Sequence, residues 1–279
     1  MEEVPFNFCF STISLLSNPH PANFSKTPVL WQAAKDEFDA KNLVVNVQIL
    51  CDEARNYSYV LEDLGNSFTL ENLLKKDTSC LRIRALLIDR LESFGHASRY
   101  RMHHLPSTAI SRDLLLNLML PFIAAHTNFE TTLTINWLSP EDFEFWKILA
   151  ERSDAGNIKI SRIGSNADMK ALAKTFFKTS KFTKFTFEGS FPPSLKDNIV
   201  AAISKGTLRS FVQRKAYPKL YTSVGPTIFN AVFKRWIETE GMQKLSFSMP
   251  SAMTLEEFRM VMGQATEEVS SVVQLEFLE

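Results

Sequence analysis

Short runs of alternating apolar and polar residues return at regular intervals along the second half of the chain. Four of them are spaced twenty-five positions apart and centre on Thr134, Lys159, Lys184 and Arg209. Between the runs, apolar residues recur every three to four positions, as they do in amphipathic helices. A repeat of one strand and one helix buries its apolar side only against neighbouring repeats. The pattern therefore predicts an α/β fold over residues 80–279, a solenoid with one curved parallel sheet and helices on one side.

The same pattern predicts the individual elements of this region. Helices are expected over residues 113–127, 140–154, 166–179, 194–205, 227–240 and 254–270. Strands are expected between them, centred near residues 100–104, 135, 160, 185, 210, 247 and 275. We expect Ile135, Ile160 and Phe185 to stack inside the molecule, because alternate residues of a strand point to the same face. The longer interval before the strand near residue 247 predicts a protruding loop over Gln213–Pro226.

The first eighty residues follow different patterns. Apolar residues at helical spacing predict two helices, which form a short helical module over residues 1–43. Alternating apolar residues at 45–49 and again at 57–61 predict a β-hairpin. Residues 44–79 are therefore expected to form a connecting hairpin region between the module and the solenoid.

Composition narrows the class of protein further. Of the 279 residues 45% are hydrophobic, and 31 Lys and Arg balance 31 Asp and Glu. This zero net charge does not indicate nucleic acid or an anionic membrane as a partner. Three widely spaced cysteines, Cys9, Cys51 and Cys80, indicate buried thiols in a reducing compartment. Because no run approaches the ~18 apolar residues of a membrane span and the start lacks the basic residues of a signal peptide, we expect a cytoplasmic or nuclear protein.

No sequence pattern indicates catalysis or a cofactor. The glycine-rich phosphate-binding motifs do not occur. His103 and His104 would point to opposite faces of a strand, so they could not bind one metal ion together. We expect Glu141, Asp142 and Glu144 to stabilise the start of a predicted helix rather than to act as acid and base. The sequence therefore predicts a protein that is not an enzyme and has no metal or cofactor; an active site assembled from distant residues is a less favoured alternative.

Three cations occupy equivalent positions in successive repeats: Lys159, Lys184 and Arg209. If the flanking apolar residues face the helices, these cations lie in one row on the opposite face, about 4.8 Å apart. Such a row would repel itself unless a carboxylate such as Glu188, or an acidic partner, neutralises it. We predict that the row contacts an acidic patch on a protein target, since three charges are a small footprint for nucleic acid. A solvated stripe that binds nothing is the alternative interpretation.

The first forty residues contain three short apolar motifs. They are Val4-Pro5-Phe6-Asn7-Phe8-Cys9, Ile13-Ser14-Leu15-Leu16 and Val29-Leu30-Trp31. Together they resemble a divergent F-box of the kind that is expanded in nematodes. In that family two helices dock on the Skp-type adaptor of a cullin–RING ubiquitin ligase. The resemblance implies that such an adaptor is bound by Pro5, Phe6, Phe8 and Trp31. Of the three aromatic residues, we expect some to form the core of the module and others its docking surface.

Residues 80–279 are similar to the degenerate leucine-rich repeats that often follow an F-box. The asparagine of the usual repeat motif is missing, so the backbone groups of its turns must be satisfied in another way. The two resemblances imply a substrate receptor of the ubiquitin ligase that recognises a protein target through its repeat face. A free-standing repeat scaffold or ligand sensor without adaptor binding is the alternative.

Overall fold

The structure, a computed structural model, describes residues 6–15, 29–63, 65–76, 78, 80–90, 106–136, 142–161, 166–179, 182–188, 193–214, 225–239 and 245–248. The strands of this part of the chain are β1 (Leu43–Cys51), β2 (Tyr57–Asp63), β3 (Asn66–Phe68), β4 (Leu81–Arg90), β5 (Thr108–Ile110), β6 (Thr132–Ile135), β7 (Asn157–Ser161), β8 (Lys184–Glu188), β9 (Ser210–Arg214) and β10 (Ser246–Ser248). The α-helices are α1 (Phe6–Leu15), α2 (Val29–Lys41), α3 (Leu70–Leu74), α4 (Arg112–Leu114), α5 (Leu120–Ala125), α6 (Phe143–Arg152), α7 (Asn166–Thr179), α8 (Lys196–Ser204) and α9 (Gly225–Glu238).

All the described strands belong to one sheet, in the order β10-β9-β8-β7-β6-β4-β1-β2-β3, with β5 also paired to β2. Neighbouring strands from β10 through β4 to β1 run parallel. Strand β2 is antiparallel to β1, to β3 and to β5. The predicted α/β class with a mostly parallel sheet is confirmed, and the predicted hairpin is its β1–β2 pair. The parallel pairing of β1 with β4 makes that hairpin part of the central sheet.

The elements match the pattern closely where the chain is described. Five predicted helices correspond to α4–α5, α6, α7, α8 and α9, and five predicted strands correspond to β6–β10. The sequence did not predict β3, α3 or β5, nor the π-helical turn Leu115–Met119 between α4 and α5. The predicted helix over 254–270, the strands at 100–104 and 275, and His103 and His104 lie outside the described residues. So does most of the predicted loop, whose ends belong to β9 and α9.

One face of the sheet carries the main hydrophobic core. Ile135, Ile160 and Phe185 are fully buried on this face, as predicted. Buried side chains of α3 and of α5–α9 belong to the same cluster, so these helices pack on this face. We call it the helix side of the sheet. Because successive residues of a strand alternate between faces, the residues between the buried ones point to the other side.

The register of the strands departs from the twenty-five-residue spacing. Thr134 lies level with Lys159, as the spacing predicts. Lys159, however, lies level with Thr186, and Thr186 lies level with Val212. These partners are separated by twenty-seven and twenty-six positions in the sequence, so equivalent residues of the sequence repeat are not neighbours in the sheet.

Burial of Phe211 explains the shift at β9. A slip of one residue turns every side chain of a strand to the other face. In the observed register Phe211 is fully buried and stacks on Phe185, with ring centroids 6.1 Å apart. The twenty-five-residue spacing would instead turn Ser210 towards the helices, and that expectation was wrong. Burying an aromatic ring removes far more apolar surface from water than burying a hydroxymethyl group.

The turns at the amino ends of the strands are hydrogen-bonded to one another through their backbone groups. The amide of Gly156 donates to the carbonyl of Asn128 at 3.3 Å. The amides of Thr183 and Arg209 each donate at 2.8 Å to the turn before, at Gly156 and Thr183 respectively. Glycine is required at 156 because a Cβ atom there would lie 1.8 Å from the carbonyl oxygen of Phe129. Backbone hydrogen bonds therefore connect the turns before successive strands directly.

Helices α1 and α2 have a small core of their own. Its buried members are Cys9, Ile13, Ala34, Phe38 and Cys80. Helix α2 continues almost directly into β1, since the amide of Asn42 donates to the carbonyl of Phe38 at 2.7 Å. The guanidinium group of Arg82, in β4, lies 5.2 Å from the centre of the Phe38 ring. The helical pair is thus anchored on the amino ends of β1 and β4, and all three cysteines are buried free thiols, as predicted.

Candidate functional site

The residues predicted to bind an adaptor divide into an inner and an outer group. Pro5 lies outside the described residues. Phe6 is partly buried against the small core and stacks on Phe10, with ring centroids 6.4 Å apart. Phe8 is 56% exposed and meets the partly buried ring of Trp31 edge to face at 6.3 Å. Phe8 and Trp31, which we call the aromatic pair, are therefore the members of this group that are placed for contact with a partner.

Helix geometry explains why Phe8 is left outside. Cys9 and Ile13 lie one turn apart on α1 and are fully buried. Phe8 precedes Cys9 by one residue, which rotates its side chain by roughly 100° from the buried stripe. The packing of α1 on α2 therefore fills the core without using this ring. An exposed aromatic ring beside a second aromatic residue is a common feature of protein interfaces.

The three predicted target-binding cations do not form one row. Lys159 lies on the outer face of β7, and its Nζ is 3.1 Å from the Oε1 of Glu188. Lys184 is exposed at the start of β8, level with Asn157 rather than with Lys159. Arg209 is exposed in the turn before β9, at the level of Thr183. The prediction of a single row was wrong because the register follows the buried phenylalanines, whereas the suggestion that Glu188 neutralises part of the charge is confirmed.

A different set of side chains does line up on the outer face. It runs across five strands at their carboxyl ends and consists of Asp89, Asn136, Ser161, Glu188 and Arg214. The Nδ2 of Asn136 donates to Asp89 at 2.9 Å, and the hydroxyl of Ser161 donates to the Oδ1 of Asn136 at 2.6 Å. Arg214 approaches Glu188 at 3.6 Å. This polar row contains both negative and positive side chains, and several of its members form hydrogen bonds or ion pairs with each other.

A cleft of about 520 Å³ lies on the helix side of the sheet, beyond the carboxyl end of β1. Three segments line it: the β1–β2 turn at residues 55–57, residues 109–112 where β5 leads into α4, and Asp142 just before α6. The turn is held by Asp52, whose carboxylate accepts from the amide and the side chain of Asn56 at 2.7 and 2.8 Å. Arg55 has a φ of 64°, in the left-handed region that few side chains other than Asn and Asp adopt.

A buried polar pair forms part of the wall of this cleft. The hydroxyl of Tyr57 donates to the Oδ1 of Asp142 at 2.6 Å. Burial raises the pKa of Asp142, and the Tyr57 hydroxyl and the charges of Arg112 and Arg55 offset this only in part. Burial and the neighbouring carboxylate also raise the pKa of Tyr57. Asp142 is thus held in a low-dielectric environment, which is typical of functional sites but also occurs in structural pairs.

Cys51 lies behind this pair at the end of β1. Burial is the main reason why its pKa is raised to about 11, and the carboxylate of Asp142 adds to the effect. The side chain therefore remains a neutral thiol at physiological pH, which makes it a poor nucleophile.

The sequence pattern gives no indication of the cleft and predicts a different role for Asp142. Asp142 is the residue before α6, but its side chain makes no capping hydrogen bond there. The predicted capping role is therefore wrong for Asp142, because its carboxylate turns to a hydroxyl eighty-five residues away in the sequence. Glu144 does lie in the first turn of α6, as predicted. No local signal connects residues 55–57, 109–112 and 142, since the pairing of β2 with β5 and the packing of α6 against Tyr57 bring them together.

Comparison with known proteins finds no relative of this chain. No family model matches it, and it has no significant similarity to a curated protein or to a solved structure. Among the described residues no helix has the length and apolar character needed to cross a bilayer.

Proposed function

We propose that this protein is an F-box-like substrate receptor of a Skp–cullin–RING ubiquitin ligase and has no enzymatic activity of its own. Its N-terminal helices bind the Skp-type adaptor, and its leucine-rich-repeat-like solenoid, with a curved parallel sheet, binds a protein target. The observation that carries the proposal is the aromatic pair. Phe8 is 56% exposed on a helical pair whose own core is already filled.

The chemistry of the pair fits a protein partner. An exposed phenylalanine keeps a large apolar surface in water after folding. Burying that surface in a pocket of the partner would stabilise the complex through the hydrophobic effect. Aromatic residues near the centre of an interface often contribute about 2 kcal/mol or more to binding. The position of the pair on α1 and α2 coincides with the part of the sequence that resembles an F-box.

The attachment of the helices also supports a receptor role. A substrate receptor must hold its target at a constant distance from the adaptor, so a flexible linker between the two binding regions would be a disadvantage. Here α2 runs into β1 across one residue, Asn42, and Arg82 of β4 packs on the ring of Phe38. Cys80 contributes to the core of the helical pair as well. The adaptor-binding helices are therefore fixed on the domain that would carry the target.

The outer face of the sheet is the surface we assign to the target. Lys184 is exposed on this face, and Arg209 is exposed in the turn at its edge. Both residues remain candidates for contacting an acidic protein. Lys159 is already paired with Glu188, so we expect it to contribute less. Reversing Lys184 and Arg209 to Glu should slow association with the target more than reversing Lys159.

Co-expression with a Skp-type adaptor tests the proposal. Phe8→Ser should reduce the recovered adaptor at least tenfold, because the ring is the exposed anchor. Phe129→Ser is the matched control, since Phe129 is 58% exposed but lies in the turn before β6, far along the chain from α1. Circular dichroism should show that both variants keep the wild-type helix and strand content. Equal adaptor recovery from the two variants, or no adaptor bound by the wild-type protein, would exclude this function.

A free-standing ligand-binding protein is the second candidate, and the cleft is the observation that favours it. In that case the wild-type chain would bind a small ligand but would leave the co-expressed adaptor in the unbound fraction.

A further inference from the structure

We propose that the cleft binds a ligand that presents a carboxylate next to a hydrogen-bond-donating nitrogen. The last residue of a peptide chain has this arrangement, and so does a free amino acid. The inference goes beyond the proposed function and does not depend on adaptor binding, because the cleft lies beyond the carboxyl end of β1, whereas the adaptor helices are anchored at its amino end.

Asp142 is the group that would accept the hydrogen bond from the ligand. Its side chain lines the cleft although the residue is only 3% exposed. Tyr57 donates to its Oδ1, whereas no described residue donates to its Oδ2. A carboxylate can accept several hydrogen bonds, and one from a ligand N–H that enters the cleft would be charge-assisted.

Arg55 and Arg112 are the groups that would bind the carboxylate of the ligand. Both line the cleft, and both are close enough to Asp142 to lower its pKa in part. The guanidinium of Arg112 lies 5.5 Å from the centre of the Phe145 ring and 3.4 Å from Glu144, contacts that hold it at the rim. A guanidinium group has a planar set of donors that matches the two oxygens of a carboxylate.

The charges around the cleft select against simpler ligands. Asp142 would repel an inorganic anion or an isolated carboxylate that entered as far as its oxygens. The two arginines would repel a purely cationic ligand. A ligand with an N–H group beside its carboxylate avoids both repulsions, because the nitrogen can face Asp142 while the carboxylate faces the arginines. The volume of about 520 Å³ falls within the range of small-molecule sites, so it admits the end of a chain rather than a folded surface.

Titration calorimetry on the full chain tests this inference with three defined probes. The first is a mixed pool of N-acetylated tripeptides with free C-terminal carboxylates, the second is the same pool with C-terminal amides, and the third is a mixture of free amino acids. We expect either the first or the third probe to bind at least tenfold more tightly than the amidated pool, since a charge-assisted pair would be lost with the amide. Which of the two binds better identifies the source of the ligand.

Arg55→Gly is the most informative variant. Glycine adopts a φ of 64° without strain, so the turn should keep its shape while the guanidinium is removed. We expect affinity for the preferred probe to fall at least tenfold. Lys184→Gln is the matched control, because it removes one positive charge from the outer face and should leave affinity unchanged. Asp142→Asn should weaken the binding of free amino acids more than that of acetylated peptides, because an ammonium group depends on the charge of Asp142 and an amide N–H does not.

Three results would each overturn the inference. They are the absence of binding by any probe at millimolar concentration, an affinity for the amidated pool that equals the highest affinity among the other two probes, and unchanged affinity for the preferred probe in Arg55→Gly. Adaptor recovery by Arg55→Gly should remain at the wild-type level, so failure of this inference is distinguishable from failure of the proposed function.

Discussion

The two faces of the central sheet are built by different rules. On the helix side every strand from β6 to β9 contributes at least one fully buried apolar side chain, such as Ile135, Ile160, Phe185 and Phe211. On the outer face of the same strands, the side chains other than Val212 are hydroxyls, amides and charged groups, and several of them form hydrogen bonds or ion pairs with each other. The buried face determines which residues are level across the sheet, and the outer face must adapt to that register.

Equal spacing in the sequence therefore does not predict which residues lie level in the sheet. Lys159, Lys184 and Arg209 are equivalent in the sequence, but the phenylalanines on the other face decide the alignment of β8 and β9. Burying an aromatic side chain stabilises a fold by about 2–3 kcal/mol, while an exposed ion pair contributes about 0–1 kcal/mol. Aromatic burial therefore sets the register, and the polar row forms from residues that the spacing does not connect.

The largest contrast should come from neighbouring residues on opposite faces of β8. Phe185 is fully buried among aromatic rings, whereas Lys184 is exposed. Phe185→Ala should lower the free energy of unfolding by about 3–5 kcal/mol, because it removes buried surface and leaves a cavity. Lys184→Ala should change it by less than about 0.5 kcal/mol. Urea denaturation followed by fluorescence measures both, and similar losses for the two variants would contradict the assignment of the faces.

A smaller effect should come from the polar pair that interrupts the helix side. The pKa of Asp142 is raised above its ordinary value of 3.8, mainly by burial, so the folded state favours the protonated carboxyl group. The protonated Asp142 carboxyl group therefore favours the folded state over the unfolded state. This contribution to the free energy of unfolding is fully present below pH 3.8 and is lost as the pH rises through the pKa of the folded state. Asp142→Asn removes the ionisation, so its free energy of unfolding should decline less than that of the wild type as the pH rises to 7. Parallel pH curves for the two proteins would show that Asp142 is not buried as described.

The smallest effect should come from the outer face. Glu188 lies near both Lys159 and Arg214, at 3.1 and 3.6 Å. Glu188→Gln should lower the free energy of unfolding by only about 0.5–1 kcal/mol, and by less in high salt, because partly exposed pairs are screened. A double-mutant cycle with Lys159→Met isolates the first pair. A coupling free energy above about 2 kcal/mol would mean that the outer face contributes to stability as much as the core does.

Local periodicity accounts for what could be predicted about the fold. The bounds of α7, the hairpin of β1 and β2 and the burial of Ile135 and Ile160 all follow from patterns within single segments. The exposed position of Phe8 follows less directly, because it depends on which stripe of α1 meets α2. The sequence assigns the three cations to equivalent positions of the pattern, but it does not predict which of them lie level in the sheet. That depends on the pairing register of two strands, which neither strand specifies alone.

Local sequence was enough to predict the class of fold, most of its helices and strands and the residues of the aromatic pair, because each depends on apolar side chains at fixed local spacing. The register of β8 and β9, the polar row and the cleft depend on contacts between distant parts of the chain. The cleft joins Arg55, Arg112 and Asp142 through the pairing of distant strands, and Tyr57 reaches Asp142 only because the packed core holds both elements in place. Contacts of this kind depend on how the whole chain buries its largest side chains, which no short stretch of sequence specifies.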